Sequence, residues 1–499
     1  MAHIVCITGG LAGIFNASLA LVEQLLAVGH RVTYASPAGS PADTSEVLAA
    51  QGVPFVQLDS WVIQSGDPPM GRWAKFREVR SRQERAVRAL GTENFVETIR
   101  ALAPDLVLID IEMHPHIMAA VMGGLPVGLL CPFISIWKRS GLPPISSKTV
   151  PGETWWSRWL GLELSWAGYA FGEWLSSQRE RWRRMGLDRI SVVRCYGESI
   201  NYPFRENFGS PQWLVPYPHG DLPILCLNAL ELDFPHDPHS SMQYLGPMIS
   251  KSRLTVRMDT ERERALAELF NRRKREKRTL VYCGCSSYRQ GNKDFLRRVI
   301  AAVALEPDWD LVIGLGGRFL PDELGSLPEN VYAFWWIPQL RVLAEADCAI
   351  VNSGPHSITE CVHFGVPMLV YSLAHACQNG NAARVKYHGL GIVGDLEKDG
   401  PAEIRVSIRL LLNESRYRER VNAMRLRCQR YTDENIAAAS VEALLPPHPL
   451  PPSLFRGKGL GDGGDRISRH FSYQKPKGRR TSDETAVMEI GEVRDDAEY

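Results

Sequence analysis

Short apolar runs alternate with segments of helical periodicity through most of the chain. Residues 3–8 form an apolar run that ends in glycines, and apolar positions at helical spacing follow from 19 to 26. Further apolar runs lie at 31–36, 106–110 and 125–133. Runs of this length, separated by helices, indicate buried parallel strands. The first half of the chain is therefore predicted to be an α/β domain with a parallel sheet.

The same alternation restarts after a highly charged helical segment at 260–278. Residues 293–304 predict a helix, and strand-like runs lie at 279–284, 309–316, 331–337, 348–354 and 367–372. The final helices are predicted between 401 and 444. The chain thus contains a second α/β domain of similar plan. We predict one domain over 1–240 and another over 241–445, since proline-rich residues at 233–238 end the first half and 224–232 read as one more pair of strands.

Residues 137–182 differ from the rest by their density of large aromatic side chains, including seven of the 13 Trp. Helices are predicted here, but their apolar face is too wide for a simple surface helix. An added helical layer packed on the core is the common explanation for such a segment. Contact with a membrane surface is the alternative, because Trp and Tyr suit that boundary.

The last 54 residues, 446–499, are poor in apolar side chains and rich in Gly, Pro and charge. Basic residues concentrate at 456–480 and acidic residues at 481–499. Such a composition predicts a disordered tail, either a solvated appendage or a segment that binds a partner.

Charge and cysteine content narrow the class of protein. The chain of 499 residues carries 57 Lys plus Arg and 56 Asp plus Glu, which argues against a nucleic-acid-binding surface. The basic run at 272–278 is offset by glutamates at 261, 263 and 268. None of the ten cysteines forms a Cys-x-x-Cys pair, so reduced buried thiols are expected. The N-terminus resembles no secretory signal and no long apolar run occurs, so a cytoplasmic protein is predicted.

Four motifs follow one another in the second half. They read W-I-P-Q at 336–339, N-S-G-P-H-S-I-T-E at 352–360, G-V-P-M at 365–368 and Q-N-G-N-A at 378–382. In order and spacing they resemble the donor-binding signature of the family 1 glycosyltransferases, the UDP-glycosyltransferase-like enzymes of the GT-B superfamily. The first strand, loop, helix and strand of the chain resemble the same family, and the resemblance extends in layout over about residues 1–440.

The resemblance implies a GT-B fold, with two Rossmann-like domains facing across a cleft and a disordered C-terminal tail. It implies transfer of a hexose from a UDP or dTDP sugar to a hydroxyl of a largely apolar small molecule, with inversion at the anomeric carbon. The acceptor would bind the first domain and its Trp-rich insertion, and the nucleotide sugar would bind the second. No metal or further cofactor is implied, and no oligomeric state is predicted.

The motif residues suit a nucleotide diphosphate for physical reasons. A strand-to-helix turn at 352–356 would offer backbone amides and a positive helix end to the pyrophosphate. Trp336 offers a flat face for a base, and Gln339 can bond the edge of the base or the ribose. Glu360 lies one turn beyond Ser357 and can accept from ribose hydroxyls. The candidate nucleotide-sugar-binding residues are Ser287, Trp336, Gln339, Asn352, Ser353, Gly354, His356, Ser357, Glu360 and Gln378.

Two departures from the family pattern concern the donor. The His that usually begins the second motif is Asn352, which can donate to a phosphate oxygen without carrying charge. The acid that usually precedes Gln378 is Cys377, and a thiol accepts poorly from sugar hydroxyls. The sugar is then either different from glucose or held by His375 or Asn379.

The largest departure concerns the general base. Family members carry a His in the first loop where this chain has Ile14, which cannot take a proton. The family's Asp partner of that His matches Asp110, and Glu112 and His114 follow closely. We predict that Asp110, Glu112 or His114 serves as base, the alternative being that Asp110 is a relic. A catalytically degenerate homologue that only binds is the second function considered, whereas the motif set argues against a GT-B epimerase.

Overall fold

The fold is known from a computed structural model. It describes residues 1–10, 12–37, 43–60, 70–157, 159–203, 219, 222–256, 258–284, 293–317, 319–373 and 377–445. Three sequence predictions lie outside these residues: the tail at 446–499, Ser287, and His375 as an alternative ligand for the sugar.

The first half folds into a seven-stranded parallel sheet with the order β3-β2-β1-β4-β5-β6-β7. Its strands are β1 (His3–Ile7), β2 (Arg31–Pro37), β3 (Phe55–Leu58), β4 (Leu106–Asp110), β5 (Val127–Cys131), β6 (Ile224–Cys226) and β7 (Met242–Tyr244). Its helices are α1 (Ala12–Ala27), α2 (Asp43–Ala49), α3 (Arg72–Arg77), α4 (Val79–Arg88), α5 (Phe95–Ala101), α6 (His114–Met122), α7 (Leu160–Arg184) and α8 (Arg189–Ser199). The central strands are buried on both faces, as their continuous apolar runs predict.

The second half forms a six-stranded parallel sheet with the order β10-β9-β8-β11-β12-β13. Its strands are β8 (Thr279–Gly284), β9 (Trp309–Gly314), β10 (Val331–Phe334), β11 (Cys348–Asn352), β12 (Met368–Tyr371) and β13 (Gly391–Val393). Its helices are α9 (Ser252–Thr255), α10 (Thr260–Glu276), α11 (Lys293–Ala304), α12 (Gln339–Leu343), α13 (Pro355–Phe364), α14 (Gln378–His388), α15 (Pro401–Asn413), α16 (Ser415–Asp433) and α17 (Ile436–Glu442). Two parallel α/β sheets confirm the predicted fold class.

Both sheets reverse their strand order at one point. In the first sheet β1 is flanked by β2 and β4, and in the second β8 is flanked by β9 and β11. Ligands of open parallel sheets bind beside the carboxyl ends of strands at such points. Asp110 ends β4, and Asn352 ends β11. The fold therefore places the residues after Asp110 and after Asn352 at the two expected ligand edges.

Two elements that the predicted boundary at 240/241 assigns to the second domain associate with the first. Strand β7, at 242–244, lies beyond that boundary but pairs with β6 of the first sheet. Helix α17 comes from the end of the second half yet packs on the first: Ala438 and Val441 are buried in one apolar cluster with residues of α1. The reason is that β7 pairs with the free edge of β6 and α17 buries apolar side chains against α1.

Local structure departs from the sequence prediction at two places. Residues 224–232 form β6 and a short 3-10 helix at Leu230–Leu232 instead of two strands. In the Trp-rich insertion only α7 is helical; described residues between 137 and 159 form turns and irregular chain. Across the part of the chain that the structure describes, no helix is both long and apolar enough to cross a membrane.

Candidate functional site

Asp110 lies at the switch point of the first sheet and is buried. Its Oδ2 accepts from the backbone N–H of Gly9, which follows β1, at 3.1 Å. Its Oδ1 accepts from the backbone N–H of Glu112 at 3.0 Å. Burial, and then the charge of Glu112, raise the pKa of the Asp110 carboxyl, against the lowering effect of these two amides. Asp110 thus orients the turn that carries Glu112.

Glu112 is only partly buried, and its carboxylate interacts electrostatically with Arg189 and with Cys377. Burial raises the pKa of its carboxyl, and the positive charge of Arg189 on α8 opposes that rise. On the other side, burial and the charge of Glu112 raise the pKa of Cys377, to about 11. Cys377 stands where the family usually has its sugar-binding acid. The charge of Glu112 therefore acts electrostatically at the position that lacks an acid.

His114 does not share this position. It begins α6, is fully buried, and its Nδ1 lies 3.4 Å from Nε2 of His219. Burial, His219 and Arg189 lower the pKa of its ring well below the ordinary value. The helix turns the ring into the core, so the geometry argues against the prediction that His114 is the general base.

The N-terminus of α13 is the second feature of the site. Gly354 is its N-cap residue and Pro355 its first residue, so the helix's own N-cap has no side chain to accept from the first amides. Asn352 and Ser357 are partly exposed beside this end, and Ser353 is buried. The first-turn amides and the Ser357 hydroxyl could hold a diphosphate.

His356, also in the first turn of α13, faces the first half of the molecule. A Cβ built on Gly13 would lie 3.8 Å from its Cδ2. Both ring nitrogens are buried and have no hydrogen-bond partner among the described residues. Burial and, next, the charge of Arg253 lower the pKa of the ring to about 4. At the N-terminus of α13, a neutral imidazole with no hydrogen-bond partner among the described residues therefore faces the first turn of α1. That helix, and not a loop as the sequence predicted, carries the buried Ile14.

The predicted base and ribose contacts form one hydrogen-bonded group. Gln339 Nε2 donates to Glu360 Oε2, and Tyr282 OH donates to Gln339 Oε1 at 3.0 Å. Glu360 is buried, and its Oε1 accepts from Arg253 at 2.6 Å. Trp336 is 37% exposed, which leaves ring surface for a base. These contacts fix the side chains of Gln339 and Glu360 before any ligand binds.

Helix α14 completes the arrangement. Gln378, its first residue, accepts at Oε1 from the backbone N–H of Leu373 at 2.6 Å, so its amide NH2 is the group left for a sugar hydroxyl. The N–H of Gly380 donates to the carbonyl oxygen of Ile145 at 2.8 Å, and Asn379 Nδ2 donates to that of Ser146 at 3.1 Å. The Trp-rich insertion of the first half therefore contacts the helix that carries the sugar-side motif.

Sequence reasoning missed Arg253 and Ile145. Arg253 lies in the short helix α9, before the second sheet begins, and reaches both Glu360 and His356 through space. Ile145 contacts α14 through its backbone carbonyl oxygen. Because every residue has this group, the residue type does not predict the contact. Neither belongs to a motif, and no local pattern could have found them.

Comparison with known proteins shows what the chain is similar to. Residues 297–439 match the family model of the erythromycin biosynthesis protein CIII-like C-terminal domain. The chain is 26% identical over 449 residues to an oleandomycin glycosyltransferase of Streptomyces antibioticus, covering 89% of this chain and 91% of the relative. A crystal structure of a calicheamicin glycosyltransferase superposes with a TM-score of 0.59 at 20% identity, covering 89% of this chain and 98% of that one. The glycosyltransferase VinC, solved in complex with dTDP, superposes with a TM-score of 0.54 at 16% identity, covering 89% and 98%.

Two parallel sheets, with the uncapped α13 at the switch point of the second, have the fold of the glycosyltransferase structures on which the chain superposes. The ordered motifs, the match to the family model over 297–439 and the relative that covers 89% of the chain are all similar to glycosyltransferases of this kind.

Proposed function

We propose that the protein transfers a hexose from a UDP or dTDP sugar to a hydroxyl of a largely apolar small molecule, with inversion at the anomeric carbon. One observation carries the proposal. The chain that leaves β1 donates to Asp110 from Gly9, and the first turn of α1, which follows directly, brings Gly13 beside His356 of α13. Asp110, at the end of β4, and the helix end that suits a diphosphate therefore both lie beside the N-terminal end of α1.

On the donor side, the leaving group is the nucleotide diphosphate. As the bond from the anomeric carbon to the diphosphate oxygen breaks, negative charge grows on the phosphates. The amides of α13 and the Ser357 hydroxyl would bind that charge, and an N–H of His356 would donate to the same group. Trp336 would stack on the base, and Glu360 would accept from ribose.

On the acceptor side, Glu112 is the candidate base that the geometry favours. Asp110 is buried, and both of its carboxylate oxygens accept hydrogen bonds from backbone amides. Glu112 is partly exposed and, in addition to the burial of Cys377, its charge raises the pKa of that thiol. Its carboxylate would take the acceptor's hydroxyl proton while the acceptor oxygen attacks the anomeric carbon from the face opposite the diphosphate. Asp110 then serves as a positioning residue.

The choice of donor and acceptor rests on likeness to relatives. VinC was crystallised with dTDP, and other relatives are named for antibiotics such as oleandomycin and calicheamicin. By analogy with these relatives, we propose that this chain uses a dTDP or UDP sugar as donor and an apolar small molecule as acceptor. That the reaction requires no metal is a further part of the proposal.

A screen of the full-length protein against UDP-, dTDP- and GDP-hexoses tests the proposal. We expect saturable binding of a UDP or dTDP sugar, followed by release of the nucleoside diphosphate when an apolar acceptor mixture is added. Binding without release under any condition would instead identify the degenerate homologue, in which Ile14 and Cys377 mark lost catalysis. The absence of nucleotide binding would contradict both.

A further inference from the structure

Helix α7 has two apolar faces, and the rest of the molecule covers only one. Leu162 and Trp166 are buried, and the indole N–H of Trp166 donates to the carbonyl oxygen of Leu142 at 2.7 Å. At 3.6 residues per turn, a second set falls within about 80° on the opposite side of the helix. This set, here named the aromatic stripe, consists of Leu160, Leu164, Phe171, Trp174 and Trp182.

Every member of the aromatic stripe is exposed, with exposed fractions from 47% at Leu160 to 67% at Trp182. The stripe runs about 33 Å along the helix. The exposed Gln178 falls on the same side, between Trp174 and Trp182. A set of large apolar side chains exposed on one face is typical of a surface that contacts another molecule. The wide apolar face of the insertion is therefore a binding surface on one side of α7 and core packing on the other.

Positive charge surrounds one end of the aromatic stripe. The guanidinium of Arg72 lies 4.7 Å from the ring centroid of Trp182, which places α3 beside the end of α7. Helix α3 adds two exposed aromatic residues, Trp73 and Phe76, and no acidic residue. Glu180 on α7 is paired with Arg184 at 3.2 Å. The exposed cations at this end are Arg72, Arg77, Arg179, Arg181 and Arg183.

We propose that the aromatic stripe and these arginines dock the protein on an anionic lipid bilayer. Aromatic side chains would enter the zone between headgroups and acyl chains, and the arginines would bind lipid phosphates. The helix lies flat in the interface and does not cross the membrane. A second protein surface would satisfy the apolar stripe equally well, but the cluster of cations at its aromatic end favours an anionic lipid surface.

The docked face is connected to the site. The N-terminal part of α7 holds the loop that contacts α14: Lys138 pairs with Glu163 at 2.6 Å, and Ile145 of that loop bonds Gly380 at 2.8 Å. A bilayer under α7 would thus lie close to the acceptor side of the cleft. This step rests on the proposed function and suits an acceptor dissolved in lipid, whereas the docking itself does not depend on it.

Flotation of the full-length protein with lipid vesicles, without nucleotide or acceptor, tests the docking. One set of vesicles contains phosphatidylcholine alone, and the other includes roughly one third phosphatidylglycerol. We expect binding to the anionic set that weakens as salt is raised. In the double variant Phe171→Ser, Trp174→Ser the partition coefficient is expected to fall roughly tenfold for each aromatic removed. The matched control Leu426→Ser, at a residue 64% exposed on α16, is expected to bind like the parent.

Arg181→Glu, Arg183→Glu provides a second variant, which keeps the aromatic stripe and is expected to lose only the preference for anionic vesicles. The proposal is overturned if the protein floats with neither vesicle, or if Leu426→Ser binds as weakly as the stripe variant. It is also overturned if the parent self-associates and Phe171→Ser, Trp174→Ser converts it to monomers without affecting flotation, since the stripe would then join two copies.

Discussion

Arg384 and Asp233 form an ion pair that is buried between the two halves of the molecule. Nε of Arg384 donates to Oδ1 of Asp233 at 2.8 Å, a second guanidinium nitrogen lies 2.6 Å from the same oxygen, and both residues are at most 3% exposed. Arg384 also donates to the carbonyl oxygen of Gly380 at 3.0 Å. The pair ties α14, which carries Gln378, to the chain that follows β6.

Removing one partner of this pair is expected to be costly. Asp233→Ala leaves the Arg384 cation buried without a counter-charge, and should lower the free energy of unfolding by about 3–5 kcal/mol. Urea denaturation measures the loss. Lys386, on the same helix as Arg384, forms an exposed pair with Glu153 of the insertion at 2.5 Å, so Glu153→Ala is the matched control and should change stability by about 0–1 kcal/mol. Equal losses in the two variants would show that burial of the pair is not what matters.

Gly380 allows α14 to approach the insertion. A Cβ there would lie 2.1 Å from the carbonyl oxygen of Ile145, a backbone atom that cannot move alone. Gly380→Ala should lower stability by about 1–3 kcal/mol and raise the KM for the donor, because α14 must shift. Gly168→Ala on α7 meets no atom within 4 Å and should be neutral or stabilising by roughly 0.5–1 kcal/mol. A harmless Gly380→Ala would contradict the close contact.

Arg253 is expected to act on donor binding through Glu360. Arg253→Met leaves the buried carboxylate without its cation, so it no longer holds the geometry shared with Gln339. The KM for the nucleotide sugar should rise on the order of tenfold with a smaller change in kcat. Steady-state kinetics measure both constants. Arg262→Met, which removes an exposed pair with Asp259, should leave them unchanged.

His356 is expected to take up a proton when the donor binds. Burial lowers the pKa of the free ring to about 4, so the ring is neutral at pH 6. A bound diphosphate favours the charged form and raises that pKa, and binding then consumes protons. Calorimetry at pH 6 in buffers of different ionisation enthalpy reads the number of protons directly. His356→Asn should bind without uptake, and identical binding enthalpy of the parent in all buffers would show that His356 does not meet the phosphates.

The sequence predicts those parts of the fold and site that depend on local pattern. Apolar runs predict the central strands, and the residues at 352–360 predict a strand, a turn and α13 because each signal is confined to a few neighbours. What the sequence cannot predict is which distant groups meet. Besides burial, the charge of Glu112 raises the pKa of Cys377 in the other half of the chain, and Arg253 pairs with Glu360, 107 residues away.

The same limit explains why the sequence predicted neither the direction of the His114 ring nor the two separate faces of α7. His114 follows Asp110 closely in sequence, but α6 begins there and directs the ring at His219, 105 residues further on. For α7 the pattern indicates an apolar face that is too wide for a surface helix. Only the tertiary structure shows that Trp166 is covered while Trp174 is exposed.

The central claim is that the carboxylate of Glu112 replaces the missing His as general base. The most direct measurement is the pH dependence of kcat/KM for sugar transfer in the parent, Glu112→Gln and Asp110→Asn. Because burial raises the pKa of Glu112 and only its deprotonated form is a base, the parent should lose activity on acidification at a higher pH than an ordinary carboxylate would give. Glu112→Gln should be slower by about 10²–10⁴-fold and lack that acid limb, whereas Asp110→Asn should keep the limb at a reduced rate. Parent-like transfer by Glu112→Gln, with its acid limb intact, would contradict the claim.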